Sequence, residues 1–146
     1  MTSDGLRSVR IERTGASQYR AINSRGTTLD MADGSTSDFT PVELLLAALA
    51  GCTAITVDPL VARRSEPREF SVDIEATKVR DELGSRLVDV VMDVVARFDE
   101  DSAEGKEAAD AARAVLADAL RKAEERLCTV SRTVAVGTAA HIRVDS

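Results

Sequence analysis

The chain has 146 residues, 44% of them hydrophobic, with a net charge of −6 and aromatic residues at only 3%. That length fits a single domain over residues 1–146 with its own core, built mainly from Leu, Val, Ile and Ala, and a core of many small contacts often gains from a partner chain. The acidic balance argues against a phosphate-binding face, which needs clustered cations to release counterions, so nucleic acid is not an expected partner.

The opening MTSDGLRSVR is charged early and has no apolar run. It is read as neither a secretory signal nor a transit peptide, and the expected compartment is the cytoplasm. Val9 and Ile11 alternate with Ser8, Arg10 and Glu12, which predicts a half-buried strand over Leu6–Arg13. Turns at Gly15 and at Asn23–Gly26 set off two more strands, Ser17–Ile22 and Thr27–Met31, and the polar stretch 33–38 is a loop.

The most apolar stretch follows, from Thr40 to Val57. Thr40 is a capping residue, Pro41 suits a first helical position, and Glu43 stands three residues after the cap, so a helix begins near Pro41. Leu44 to Ala50 run without a polar break, which predicts enclosure on nearly all sides. The run is shorter than the roughly 20 residues of a membrane span, so a core helix is expected and no membrane partner. Pro59 predicts a kink or a new start, with Arg63 and Arg64 placed favourably at a helix C-terminus.

Phe70, Val72, Ile74 and Ala76 alternate with polar residues, and Val88, Val90, Met92, Val94, Ala96 and Phe98 form one continuous face. Together they predict an antiparallel hairpin joined by a long loop over 78–86. Between Ser102 and Leu127 the period changes: Ala108, Ala112, Val115, Leu116, Ala119, Leu120, Ala123 and Leu127 mark an amphipathic helix whose charged face is read as solvated. Ser131 is a candidate cap for one short turn, and Ala140, Ile142 and Val144 predict a last strand. Strands, helix, hairpin, helix and strand make an α+β fold.

Chemistry is limited to few groups. Cys52, Cys128 and His141 are too few for a tetrahedral metal site and lack its spacings, so no metal is expected. His141 falls on the polar side of its alternation and is read as a surface residue. Redox thiol chemistry needs one thiol held partly as thiolate, a positive group beside it and a second thiol, and both thiols are present. Against it stands an inert core role for Cys52, three turns into its helix. A structural disulfide is a further reading, and it predicts a large stability loss on reduction.

The stretch Pro41-Val42-Glu43-Leu44-Leu45-Leu46-Ala47-Ala48-Leu49-Ala50-Gly51-Cys52, followed downstream by Cys128-Thr129-Val130-Ser131, resembles the OsmC/Ohr family of osmotically inducible and organic hydroperoxide resistance proteins. The resemblance implies an intertwined homodimer and a thiol-dependent peroxidase that reduces organic hydroperoxides. Cys52 would attack the peroxide and become a sulfenic acid, and Cys128 would close a disulfide that an external dithiol reductant reopens, without a bound cofactor. It implies an activating arginine from the N-terminal strands, Arg20 or Arg25, with Arg25 preferred. A solvent-exposed turn residue is the competing reading of Arg25. Glu43 is both a capping residue and the candidate acid. Well-established peroxidase members carry glutamate directly after the motif proline, where this chain has Val42. The alternative is a dimer of the same fold that binds a small apolar ligand or a redox partner without efficient turnover.

Overall fold

The computed structural model describes residues 5–145 and sorts the chain into two compact units, one through Leu45 and one from Leu46 onward. In the first unit, strands β1 (Val9–Gly15), β2 (Gln18–Asn23) and β3 (Thr28–Ala32) form an antiparallel sheet in that order. The tight β2–β3 turn is built by Asn23, whose side-chain oxygen accepts from the Arg25 and Thr27 N–H groups at 3.0 Å each. Gly26 takes φ +85° in that turn, a conformation that costs glycine little. The sheet matches the expected strands, but β1 is not half-buried: Val9 and Ile11 both lie open within this chain.

Helix α1 (Pro41–Ala62) begins as the sequence predicts. The Thr40 hydroxyl oxygen accepts from the Glu43 N–H at 3.2 Å while its O–H donates to the Glu43 carboxylate at 2.9 Å. Of the kink or new start expected at Asp58-Pro59, the new start does not occur, since the helix runs on to Ala62; the expected place of Arg63 and Arg64 in a last turn needs correction, because they follow the helix. The helix is also not enclosed within one chain. A ridge at four-residue spacing, Leu49, Thr53, Val57 and Val61, is buried, whereas Leu45 and Ile55 are exposed. An unbroken apolar run shows that a helix has no face suited to water; it does not say that the same chain supplies the cover. By length and composition α1 would suffice to cross a bilayer, but the lower part of its buried ridge belongs to a packed core.

That core lies in the second unit. Strands β4 (Glu69–Asp81) and β5 (Gly84–Arg97) pair antiparallel, with Phe70 opposite Ala96, Val72 opposite Val94 and Ile74 opposite Met92. The expected long loop over 78–86 is instead a two-residue turn, Glu82-Leu83. Asp81 tightens it by accepting from the Leu83 N–H at 2.9 Å and pairing with Arg86 at 2.9 Å. Polar side chains at 78–81 suggested a loop, yet they only reflect a solvated stretch of strand.

Helix α2 (Ala103–Lys122) starts at Ser102, whose hydroxyl accepts from the Gly105 N–H at 2.9 Å. Removing that cap in Ser102→Ala is expected to cost about 1 kcal/mol in urea unfolding. A loss below a few tenths would show that the cap is idle. Ala109, Ala112 and Ala119 of α2, followed by Ala123, pack with Val57, Val61 and Phe98 into one buried cluster. Small residues on α2 let its backbone approach closely, which is how a chain so poor in aromatics fills its core.

After Lys122 the helix changes character. Ala123–Leu127 is a π-turn, closed by the Cys128 N–H donating to the Ala123 carbonyl five residues back at 2.9 Å. The extra residue breaks the period that placed Leu127 on the buried face, leaving Leu127 51% exposed and Cys128 fully buried. Helix α3 (Thr129–Val136) follows. Its cap is Cys128, not Ser131 as the sequence suggested, because the π-turn delivers the cysteine in an extended conformation one turn earlier. The expected final strand does not form. Residues 138–145 take no regular structure, with Ile142 and Val144 90% and 87% exposed. Alternation alone cannot make a strand; it needs an edge to pair with.

Candidate functional site

The two thiols come together inside the second unit. Cys52 projects from the middle of α1, half-buried, and Cys128 stands fully buried at the start of α3; both are free. Their side chains lie within hydrogen-bond reach of each other.

The N-terminus of α3 is aimed at this pair. The Ser131 N–H donates to Cys128 Sγ at 3.3 Å, the Ser131 hydroxyl reaches the same sulfur, and the Val130 N–H serves both sulfurs. Free N–H groups in the first turn of a helix stabilise negative charge, so this end favours a thiolate.

The two sulfurs respond differently. Burial pushes the Cys52 thiol up, and its hydrogen bond to Cys128 pushes it further, outweighing the Val130 N–H and the Thr56 side chain. Burial also pushes Cys128 up, but the hydrogen bond from Cys52 together with the Ser131 and Val130 donors brings it below the ordinary thiol range. The sequence singled out Cys52 as the reactive sulfur; it gave no sign that Cys128 would receive the helix cap. The one available signal was Ser131, three residues after Cys128, the spacing of a side-chain cap to its N–H.

The same unit holds a cavity of about 560 Å³ that neither cysteine lines. Leu49 and Thr53 of α1, Met92 and Val94 of β5, and Ser131 and Val134 of α3 line it, with Arg121 and Glu124 adding charge. Arg121 is held by Asp118 at 2.8 Å and Glu125 at 2.9 Å. The setting suits a mainly apolar small molecule with one polar end.

Arg20, Arg25 and Glu43 belong to the first unit. Arg20 is tied to Asp30 across β2 and β3, by Nε at 2.7 Å and Nη2 at 3.1 Å, and this fork holds its guanidinium on the sheet. Arg25 sits exposed in the β2–β3 turn, on the wall of a cleft shared with Leu6 and Arg7. Glu43 is engaged by Thr40 in the cap of α1, and Val42 beside it is exposed. His141 is exposed in the irregular C-terminal segment.

The sequence matches the family model described as OsmC-like protein over residues 33–143. An uncharacterised protein of Mycobacterium tuberculosis is 29% identical over 137 residues, covering 92% of this chain and 93% of that protein. Among solved structures, a hypothetical protein from Aquifex aeolicus is similar at a TM-score of 0.69 and 17% identity, over 91% of this chain and 89% of its own. The organic hydroperoxide resistance protein OsmC of Legionella pneumophila aligns at a TM-score of 0.59 and 18% identity, over 90% of this chain and 91% of its own. At these identities the structural likeness is one of fold.

Proposed function

The chain belongs to the OsmC-like protein family, and on that premise we propose that it serves in oxidative-stress defence as a thiol-dependent peroxidase reducing organic hydroperoxides. One observation carries this reading: two free cysteines from separate helices meet in one unit, close enough for each thiol to shift the ionisation of the other. Cys52 is the more accessible sulfur and takes the oxygen; Cys128, buried behind it, resolves the sulfenic acid as a disulfide. An external dithiol returns both to thiols. Arg25 and Glu43 are the proposed activating pair, with Arg25 steadying the Cys52 thiolate once it forms. The exposed apolar side of α1, where Ile55 is 77% open, supports a homodimer as the working form.

A second reading has its own support: burial holds the Cys52 thiol up, and Val42 stands where peroxidases keep an acid. It describes a dimer that retains a small apolar ligand or redox partner in the cavity without efficient turnover. One experiment separates the two. One equivalent of an alkyl hydroperoxide is added to the reduced protein, and thiols and mass are followed. The peroxidase reading expects loss of both thiols and a mass two units lower, the signature of an intramolecular disulfide. Unchanged thiols an hour after that addition would leave the binding reading standing.

A further inference from the structure

We propose that the cavity of the second unit binds an apolar molecule ending in a protonated amine, with the Glu124 carboxylate receiving the ammonium group. Neither cysteine lines this cavity, so the site stands whether or not the thiols turn over peroxide. It deepens the binding reading by giving its ligand a chemical class.

Several elements each turn one face to the cavity. Leu49 and Thr53 lie four residues apart on α1, and Val90 and Met92 are alternate residues of β5. Leu120 and Glu124 are four apart on α2 and the π-turn that extends it, and Val134 adds a wall from α3. Leu49 and Thr53 are buried at its base, whereas Val90 and Val134 are 44% and 50% exposed, so apolar surface meets water at the entrance. Removing that surface from water favours an apolar guest. A volume of about 560 Å³ is in the range that accepts a drug-sized molecule, roughly 300–1,000 Å³.

The charges on the wall decide the polar end of that guest. Arg121 is held on two sides, Nη1 by Glu125 at 2.9 Å and Nη2 by Asp118 at 2.8 Å, and Lys122 also pairs with Asp118 at 2.7 Å. Glu124, by contrast, has no hydrogen-bond or ion-pair partner among the described residues. Asp118, Glu124 and Glu125 against Arg121 and Lys122 leave one carboxylate over. An incoming carboxylate would have to displace Asp118 or Glu125 from Arg121 and would face Glu124 as well. An ammonium meets the acceptor that is unoccupied, and a primary alkylamine is protonated near neutral pH.

The test uses probes with the same straight alkyl chain and different ends, decylamine, decanol and decanoate, titrated calorimetrically into the reduced protein. None carries a peroxide bond, so binding can fail while the peroxidase reading stands, and the reverse. Decylamine is expected to bind most tightly and decanoate least. Glu124→Gln should weaken decylamine about three- to fivefold, the size of an ion pair open to solvent, and leave decanol within about twofold. Glu82→Gln, the same charge change in the β4–β5 turn, should alter neither. The ¹³C-methyl signal of Met92, on the cavity wall, should shift with decylamine and decanol, while that of Met31, in the first unit, stays in place. Tightest binding by decanoate, or no preference among the probes, would overturn the cationic class. An equal effect of the two glutamine variants on decylamine would overturn the role of Glu124. A Met92 signal unmoved by every probe would overturn the site, and if it shifts instead when a dimer is diluted to monomer, a second copy of the chain is the occupant.

Discussion

Cys52→Ser is expected to lower the rate of alkyl hydroperoxide consumption, measured with excess dithiol, by about 10³-fold or more, because a serine hydroxyl is scarcely ionised near neutral pH and is a poor nucleophile toward peroxide oxygen. The substitution is nearly isosteric at a half-buried position, so the fold should remain and a loss of rate will report chemistry. Cys128→Ser behaves differently. It leaves the attacking sulfur in place but removes the resolving thiol, so the first equivalent is consumed and the protein then stalls as a sulfenic acid. A Cys52→Ser protein that turns over within tenfold of the parent would end the peroxidase reading, whatever the behaviour of Cys128.

The start of the helix that carries Cys52 was legible because local chemistry decides it. Thr40, Pro41 and Glu43 write a helix start, and the capping bonds form where that pattern puts them. The faces of β4 and β5 were equally plain, since alternation of Val72 and Ile74 with Ser71 and Asp73 has a single structural solution. The capping position of Cys128 was hidden for the opposite reason. A π-turn adds one residue to a helix without any residue type that demands it, so the apolar period pointed to Leu127 as the buried position. The structure buries its neighbour instead. The charge preference of the pair depends in turn on N–H groups of a helix that begins only because of that turn. The C-terminal segment was misread because pairing partners cannot be inferred from one strand's own alternation. For Arg25 the sequence offers only a turn position, and a turn places an arginine in water until something covers it.

Ile55→Arg is expected to convert a dimer into a monomer at micromolar concentration, read by sedimentation velocity, with the far-ultraviolet spectrum unchanged. Ile55 is 77% exposed in the chain, on the side of α1 away from the ridge Leu49, Thr53, Val57 and Val61, so an arginine there disturbs no internal contact. In the proposed dimer that side is covered. Replacing a buried isoleucine forfeits about 2–3 kcal/mol of apolar burial, and an unpaired buried guanidinium adds several more. In a two-fold dimer the change occurs twice, so the dissociation constant should rise by about 10³-fold or more. Leu83→Arg is the control. Leu83 is 99% exposed at the tip of the β4–β5 turn, and a single exposed leucine at such a tip needs no partner, so its mass should stay dimeric. A monomeric parent protein would remove the dimer from the proposal. A dimeric Ile55→Arg would place the interface elsewhere and leave the open side of α1 unexplained. A monomeric variant that keeps its fold but loses turnover would show that the thiol pair of one chain is not sufficient and that the second copy supplies part of the site.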